Sequence, residues 1–491
     1  MNTVVAMTKL PLGQRKMLIG GKMVASAGGQ WLESISPATE EVIGAVPRGN
    51  KEDIESAYQA AAKAQPAWEG LSPGKRGDYL SRLADAVMAR GEEILEVEVM
   101  DTGNTIAKMR FDVGLGCDAL RYYAGLAYEM KGATVPSTPG NLHFTVREAY
   151  GVVGRIIPFN HPVMFAIAKM AAPLMAGNTI IIKPSEQSPL SAAILGEECA
   201  KVLPPGVVNI VTGLGAEAGD PLVRHPHIKR LAFIGSVKTG MAIQRAAAEV
   251  AVKVVSLELG GKNPMIVFPD VDLDKATTGA INGMNFAWQG QSCGSTSRLF
   301  LHESIHDKFL DLLVKKVSAL KVGDPLDESS QMGPINSKGQ YEKVLHYIKA
   351  GQEDGAKLMT GGKRPSGTGF EKGFWVEPTV FANVQPHMRI AREEIFGPVL
   401  SVFKWSDLDQ CIEIANSVEY GLTGAIWTNH LNTALKTAMR VKSGYVWING
   451  TSAHYMAMPF GGYRNSGTGR EEGLEELLSY TEEKSVHVML G

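Results

Sequence analysis

Apolar runs bounded by glycine and proline recur through the middle of the chain, and each is followed by apolar residues at helical spacing. The pattern predicts strands at 151–157, 179–182, 207–211 and 230–234, with helices at 163–176, at 189–202 and, after Gly235-Ser236, as far as Ala251. Strands that are apolar throughout indicate a parallel sheet covered by helices on both faces. We therefore predict a Rossmann-like unit, which binds ligands at the carboxyl ends of its strands.

The pattern on either side predicts a helical segment before this unit and a second α/β unit after it. Ahead of it are a hairpin at 17–24, a turn at 36–39 before a second short strand pair, and helices from Lys51, at 74–90, at 92–102 and at 111–130, with Asn50 as a cap and Gly103 as a stop signal. From near Gly260, strands at 263–267, 298–302, 399–403, 424–427 and 445–448 accompany helices at 305–320, 341–355, 408–417 and 431–441. The predicted fold class is α/β with two Rossmann-like units.

Two segments alternate apolar and polar residues, which is typical of half-exposed strands. They are 142–150 and 484–491, and neither has a strand partner nearby in the sequence.

Composition narrows the function classes. The length of 491 residues favours about three domains. The net charge of -2 gives no field for nucleic acid or anionic membranes. The N-terminus lacks a secretory h-region, and polar residues interrupt the most apolar stretch. The four cysteines have no CxxC spacing, so no metal site is expected and a reducing, cytoplasmic location fits.

Cys293 lies among glycine, serine and glutamine residues, just before the strand at 298–302. Buried structural cysteines usually have bulky apolar neighbours. Gly290 and Gly294 allow a tight turn or the close approach of a ligand. By itself, a lone cysteine in such a segment is more often an ordinary loop thiol than a catalytic residue.

Glycine-rich turns follow two of the predicted strands. The first runs from Gly213 through Gly215 to Gly219 and resembles a dinucleotide fingerprint with one extra residue. The second begins at Gly235-Ser236 and lacks the lysine of a P-loop. Both can present backbone N–H groups and a helix N-terminus to a diphosphate. Lys183 and Glu186 end another strand and are suited to ribose hydroxyls, although a solvated loop explains them too.

Two further polar residues lie in apolar surroundings. Glu258 belongs to the apolar run 254–261, and burial would raise its pKa toward the range of a general base. Asn160 lies in a turn between two prolines, where its amide could donate to an oxyanion. A solvated strand edge and a simple turn are the alternative explanations.

Taken together and in this order, these motifs resemble the aldehyde dehydrogenase superfamily over nearly the whole chain. The motifs that carry the resemblance are Pro158-Phe-Asn160, Lys183-Pro-Ser-Glu186, Phe233-Ile-Gly-Ser236, Leu257-Glu-Leu-Gly-Gly-Lys262, Gly290-Gln-Ser-Cys293, Glu393-Glu-Ile-Phe-Gly-Pro398 and Pro459-Phe-Gly-Gly462.

The resemblance implies a role for each catalytic candidate. Cys293 attacks the aldehyde carbon, Asn160 holds the oxyanion, and Glu258 activates the water that hydrolyses the thioester. Lys169 and Glu471 match positions used for proton relay or local support.

The resemblance also implies where the cofactor and the substrate bind. The cofactor contacts map onto Ile156, Phe159, Lys183, Glu186, Gly215, Gly219, Phe233, Gly235, Ser236, Glu394 and Phe396. We expect NAD rather than NADP, because Glu186 would bind the adenosine ribose and repel a 2′-phosphate. The substrate tunnel maps onto His161, Phe165, Trp288, His454 and Phe460. His161 stands where many members have an apolar residue, which suggests a polar or hydroxylated aldehyde; a packed histidine explains it equally well.

The family organisation implies an NAD-binding domain (1–126 and 150–259), a catalytic domain (260–465) and an oligomerisation flap (131–149 and 480–491), in a homodimer or homotetramer. The expected partner is a small-molecule aldehyde, with no nucleic acid and no membrane. Three alternatives stay open: a CoA-acylating relative, a non-redox cysteine thioesterase or acyltransferase, and a catalytically silent protein. Glu258 argues against the first, the cofactor motifs against the second, and the intact catalytic set against the third.

Overall fold

The computed structural model of the protein describes residues 11–490. The first ten residues of the predicted NAD-binding segment and the last residue of the predicted flap lie outside the described residues. No helix within the described range is long and apolar enough to cross a membrane.

The first half of the chain alternates between helices and strands. Its strands are β1 (Met17–Ile19), β2 (Lys22–Val24), β3 (Trp31–Ile35), β4 (Val42–Pro47), β5 (Thr134–Val135), β6 (Asn141–Ala149), β7 (Val152–Ile156), β8 (Thr179–Lys183), β9 (Val208–Ile210), β10 (Arg230–Ile234) and β11 (Val254–Glu258). Its helices are α1 (Lys51–Glu69), α2 (Pro73–Ala89), α3 (Gly91–Thr102), α4 (Ile106–Gly125), α5 (Pro162–Met175), α6 (Leu190–Val202), α7 (Asp220–Arg224) and α8 (Val237–Ala248).

The second half continues the same alternation. Its strands are β12 (Pro264–Val267), β13 (Arg298–His302), β14 (Lys357–Thr360), β15 (Thr379–Ala382), β16 (Val399–Trp405), β17 (Thr423–Trp427), β18 (Tyr445–Ile448), β19 (Gly467–Thr468) and β20 (Thr481–Met489). Its helices are α9 (Leu273–Gly283), α10 (Glu303–Ser318), α11 (Lys338–Glu353), α12 (Arg389–Arg392), α13 (Leu408–Asn416), α14 (Leu431–Arg440) and α15 (Leu474–Leu478).

Two large sheets dominate the molecule. The first has eight strands in the order β19-β11-β10-β7-β8-β9-β1-β2, with β7 to β11 parallel to one another. The second has seven strands in the order β14-β15-β16-β13-β12-β17-β18, parallel except for β14. Strands of the first sheet such as β8 are fully buried, as apolar runs between two helical layers should be. The two predicted Rossmann-like units are both present.

The two alternating segments pair with each other. β20 runs antiparallel to β6 along all nine of its residues, and β5 completes a three-stranded sheet. The C-terminal strand therefore finds its partner more than three hundred residues earlier in the chain, which local sequence does not reveal.

Several predicted elements need correction. α4 spans Ile106–Gly125 rather than 111–130, because the chain turns into a helix directly after Thr105. The turn at 36–39 lies between β3 and β4 instead of before a strand pair. α9 and β15 were missed, because α9 is rich in weak helix formers such as threonine and glycine and β15 has four residues.

Candidate active site

Cys293 lies in a tight loop between a 3-10 turn at Phe286–Trp288 and β13. Its side chain is half-buried, whereas the other three cysteines are buried. Gly290 has a φ of +65°, and a Cβ there would lie 2.2 Å from the carbonyl oxygen of Gly397. No other residue fits at this position, so the expectation of a close backbone approach beside the cysteine holds for Gly290.

The side chain of Asn263, the residue before β12, holds this loop through hydrogen bonds. Its Nδ2 donates to the carbonyl oxygens of Cys293 at 2.7 Å and Ser295 at 2.9 Å, while its Oδ1 accepts from the N–H of Thr423 at 3.0 Å. The Thr423 hydroxyl in turn donates to the carbonyl of Gly294 at 3.1 Å. The residues at the start of two parallel strands of the second sheet therefore hold the backbone from Cys293 to Ser295.

The surroundings of Cys293 favour the thiol over the thiolate. Burial, together with the carboxylates of Glu394 and Glu258, raises the pKa of Cys293 to about 12. Its activation therefore needs a nearby base or a compensating positive charge.

Glu258 ends β11 and is buried, not solvated as the alternative explanation required. Neither of its carboxylate oxygens has a hydrogen-bond partner among the described residues. Burial, followed by the charge of Glu471, raises the pKa of Glu258 well above its ordinary value. A buried carboxyl group with free oxygens and a raised pKa is suited to exchanging protons with water or a thiol.

Glu471 and Lys169 form a buried ion pair, with Lys169 Nζ 2.8 Å from Glu471 Oε2. Arg155 completes the group through its Nη2, which lies 2.6 Å from Glu471 Oε1. Although burial acts to raise the pKa of Glu471, Arg155 and Lys169 lower it to about 2. Glu471 therefore stays charged, and its negative charge helps to keep the proton on Glu258.

Asn160 lies in the turn between β7 and α5 and is 5% exposed. Its carbonyl accepts from Asn104 Nδ2 at 2.9 Å, and the carbonyl of Phe159 accepts from the Ser188 hydroxyl at 3.1 Å. The turn is thus held through its backbone. The side-chain amide of Asn160 makes no hydrogen bond to the described residues and is free to donate to a ligand.

The carboxyl ends of β7, β8 and β10 carry most of the predicted cofactor residues. Lys183 Nζ donates to Glu186 Oε2 at 2.7 Å, and burial lowers the pKa of Lys183. A Cβ on Gly235 would lie 2.4 Å from the ring of Phe233, so this turn requires glycine. The remaining members of the group are Ile156 at the end of β7, Ser236 as the N-cap of α8, and Gly215 and Gly219 at the ends of a π-helical turn.

Glu394 and Phe396 come from far along the chain to the same edge. Glu394 Oε1 accepts from the N–H of Gly261 at 2.9 Å, and burial raises the pKa of Glu394. The ring of Phe396 meets that of Phe159 edge-on, with centroids 5.7 Å apart. Gln340 Nε2 donates to the carbonyl of Phe396 at 2.6 Å and supports its left-handed backbone. The structure thus brings Glu394 against the segment that follows Glu258, and Phe396 against the turn that contains Asn160.

The predicted tunnel residues form two aromatic groups. His161 contacts Trp288 and Phe165, with ring centroids 5.4 Å and 5.9 Å apart. His454 contacts Phe460 at 4.7 Å, and its Nδ1 lies 2.9 Å from Glu472 Oε2. Phe165 and Lys169 are one turn apart on α5, so the first group and the Lys169–Glu471 pair lie on one helix face.

The model of the aldehyde dehydrogenase family matches residues 23–486. The chain belongs to this family. The predicted α/β fold class and the enzyme class, an NAD(P)-dependent aldehyde dehydrogenase, are confirmed.

Two curated relatives and one solved structure illustrate how closely this aldehyde dehydrogenase resembles its family. The aldehyde dehydrogenase tropH of Talaromyces stipitatus is 46% identical over 466 residues, covering 94% of this chain and 90% of the relative. The betaine aldehyde dehydrogenase of Brucella canis is 42% identical over 475 residues, covering 96% and 97%. The NAD+ complex of an aldehyde dehydrogenase from Bacillus cereus has a TM-score of 0.95 and 40% identity, covering 98% of each chain.

Four supporting residues were not singled out from the sequence: Asn104, Arg155, Asn263 and Gln340. Asn263 had a visible signal, because it is a polar residue directly before the apolar strand β12. Arg155 is a cation inside the buried strand β7 and could have been noticed in the same way. Asn104 and Gln340 lie in polar stretches, where nothing in the sequence distinguishes them.

Proposed function

We propose that this aldehyde dehydrogenase oxidises an aldehyde to its carboxylic acid through a covalent intermediate on Cys293, with water activated by Glu258 as the final acceptor. The observation that carries the proposal is the buried carboxyl group of Glu258. Both of its oxygens are unpaired among the described residues, and its charge acts on the Cys293 thiol.

In the first step, the Cys293 sulfur attacks the carbonyl carbon and a thiohemiacetal forms. The thiol proton leaves to solvent water, so Glu258 stays free to act as the base of the second step. The free amide of Asn160 and the N–H of Cys293 donate to the oxyanion, and one such donor contributes about 3–4 kcal/mol. NAD, when bound, supplies the acceptor for the hydride that leaves this carbon, and the enzyme is left as a thioester on Cys293.

In the second step, Glu258 takes a proton from water as the water attacks the thioester. The acid is released, and Glu258 passes its proton to the departing Cys293 sulfur, which restores the thiol. The Lys169–Glu471–Arg155 group keeps one fixed negative charge beside Glu258, because Glu471 stays ionised. We infer that burial and the charge of Glu471 hold the proton affinity of Glu258 high enough for base catalysis, although the charges of Lys169 and Arg155 act to lower its pKa.

NAD is the cofactor, and the donor set at the carboxyl ends of β7, β8 and β10 fits it. Lys183 and the half-exposed Glu186 are placed for ribose hydroxyls, and Glu186 disfavours a 2′-phosphate. Ser236 at the start of α8, which has twelve residues, offers a helix N-terminus to the diphosphate. Ile156, Phe159, Gly215, Gly219, Phe233, Gly235, Glu394 and Phe396 complete the proposed seat.

The organisation that we propose follows the predicted boundaries: an NAD-binding domain at 1–126 and 150–259, a catalytic domain at 260–465, and a flap at 131–149 and 480–491. The three-stranded sheet of β5, β6 and β20 supports a separate flap. We propose that this flap joins subunits in a cytoplasmic homodimer or homotetramer.

The proposal is tested with Cys293→Ala in the full-length protein. NADH formation from any aldehyde, followed at 340 nm, should be abolished, while NAD binding measured by calorimetry should survive. Cys199→Ala removes a buried thiol on α6, away from the site, and serves as the matched control. Retained turnover in Cys293→Ala would refute the assignment of Cys293 as the nucleophile. Formation of an acyl-CoA thioester in place of the acid, with turnover that depends on CoA, would favour the CoA-acylating alternative.

A further inference from the structure

His161 is held in one orientation by a buried carboxylate. Its Nδ1 lies 2.7 Å from Asp112 Oδ2, and Asp112 on α4 is 2% exposed. A histidine that merely fills space needs no such partner. The pair fixes the ring plane and directs the opposite nitrogen, Nε2, away from α4.

Nε2 of His161 has no hydrogen-bond partner among the described residues. The neighbouring indole Nε1 of Trp288 is buried and also lacks a partner within the described range. A buried unpaired donor costs about 1–3 kcal/mol, so such groups usually mark a place where a ligand or water binds. Two rings whose polar atoms lack protein partners among the described residues are therefore in contact, with ring centroids 5.4 Å apart.

These rings lie on the two segments that carry the proposed catalytic residues. His161 follows Asn160 directly, and Trp288 belongs to the loop that leads to Cys293. Phe165, one turn along α5, closes the apolar side of the same group. A group bound between His161 and Trp288 is thus flanked by the proposed oxyanion donor and the proposed nucleophile.

The acidic side chains near these rings offer little attraction to a cationic substrate. The acidic residues around the predicted tunnel are already engaged: Asp112 with His161, and Glu472 with His454. Glu98, a third buried acid near Asp112, accepts from the N–H of Val163, and burial raises its pKa to about 8. Burial thus favours its neutral form around pH 7.

We propose that His161, positioned by Asp112 and assisted by the Trp288 indole, selects aldehydes that carry an oxygen substituent, a hydroxyl or a carboxylate, on the chain behind the carbonyl. A hydroxyl can accept from Trp288 Nε1 while donating to neutral His161. A carboxylate oxygen can accept from Trp288 and from protonated His161. This inference rests on the proposed function, since it assumes that an aldehyde reaches Cys293 past these rings.

The test compares kcat/KM for pairs of aldehydes of equal size. 3-Hydroxypropanal against butanal exchanges a hydroxyl for a methyl group, and 4-oxobutanoate against 4-methylpentanal exchanges a carboxylate for an isopropyl group. Betaine aldehyde supplies the cationic case. We expect the oxygenated member of at least one pair to be preferred about tenfold or more, because a site built for hydrogen bonds penalises an analogue that leaves its groups unpaired.

In His161→Phe the ring and its contacts remain but the nitrogens are lost, and the preference should fall to within about threefold. His306→Phe is the matched control, because His306 is also buried and also lies 2.7 Å from an aspartate, Asp307, on α10. In His306→Phe, the ratio of kcat/KM for the oxygenated aldehyde to kcat/KM for its apolar counterpart should equal the ratio of the unmodified enzyme. Asp112→Asn combined with His161→Phe should add nothing to the single His161 change, since Asp112 acts through His161.

A preference within the first pair would identify the oxygen group as a hydroxyl, and a preference within the second pair would identify it as a carboxylate. Equal rates within both pairs, a preference that survives His161→Phe, or a preference for betaine aldehyde would each overturn the inference while leaving the proposed chemistry intact. An enzyme that oxidises none of these aldehydes would instead count against the proposed function.

Discussion

The hydrogen bonds of Asn263 predict that Asn263→Ala damages the Cys293 loop more than it damages the fold. The change removes three hydrogen bonds to backbone groups, those of Cys293, Ser295 and Thr423. At about 1 kcal/mol for each bond, the free energy of unfolding should fall by roughly 3 kcal/mol. Asn263 is 2% exposed, so water cannot easily replace the lost partners.

The effect on catalysis should be larger than this loss of stability implies. Without Asn263, the carbonyl of Cys293 loses its one side-chain donor within the described residues, and the loop can shift. A displacement of about 1 Å at a reacting group can lower the rate about a hundredfold. We expect kcat/KM to fall by that order, in an assay of NADH formation at saturating NAD.

Asn209→Ala is the matched control for Asn263→Ala. Asn209 is 0% exposed, donates to the carbonyl of Gly206 at 2.9 Å and accepts from the N–H of Gly20 at 2.9 Å. It lies on β9 in the first sheet, whereas the Cys293 loop leads into the second sheet. Asn209→Ala should lower the urea midpoint of unfolding to a similar degree but leave kcat/KM nearly unchanged. An Asn263→Ala enzyme with wild-type kcat/KM would refute the idea that this side chain positions the nucleophile, and equal losses in both variants would mean that the effect is general instability.

Two further predictions concern the buried acids. Glu258→Gln should retain a pre-steady-state burst of NADH, measured by stopped-flow absorbance, while steady turnover falls about 10²–10⁴-fold through loss of the general base; loss of the burst as well would place Glu258 earlier, in activation of the thiol. Burial raises the pKa of Glu98 to about 8, so the stability that its neutral form contributes is full below the ordinary pKa near 4.5 and is lost as pH rises through 8. Glu98→Gln cannot ionise, and its urea midpoint relative to that of the unmodified protein should therefore increase between pH 6 and pH 9; a difference that does not change with pH would contradict the burial argument.

Much of the fold was predictable because its signals are local. The strands β7, β8 and β10 are apolar throughout, the caps at Asn50 and Gly103 act on the nearest turn, and the predicted positions agree with the structure. The errors came where local signals are weak. α4 lacks a side-chain cap, and α9 is composed of small and polar residues, so their stability comes from packing that the sequence does not display.

The sequence by itself determined the α/β class, the family resemblance and the residue types of the chemistry, because glycine turns, apolar strands and a cysteine in a small-residue loop are all short-range patterns. Only the tertiary structure decided how these residues act on each other. It buried Glu258 beside Glu471, placed Asn263 beneath Cys293 and joined His161 to Asp112 across two helices. The physical reason is that pKa values, hydrogen-bond partners and orientation depend on distances between residues that are far apart in the chain, and these distances exist only after folding.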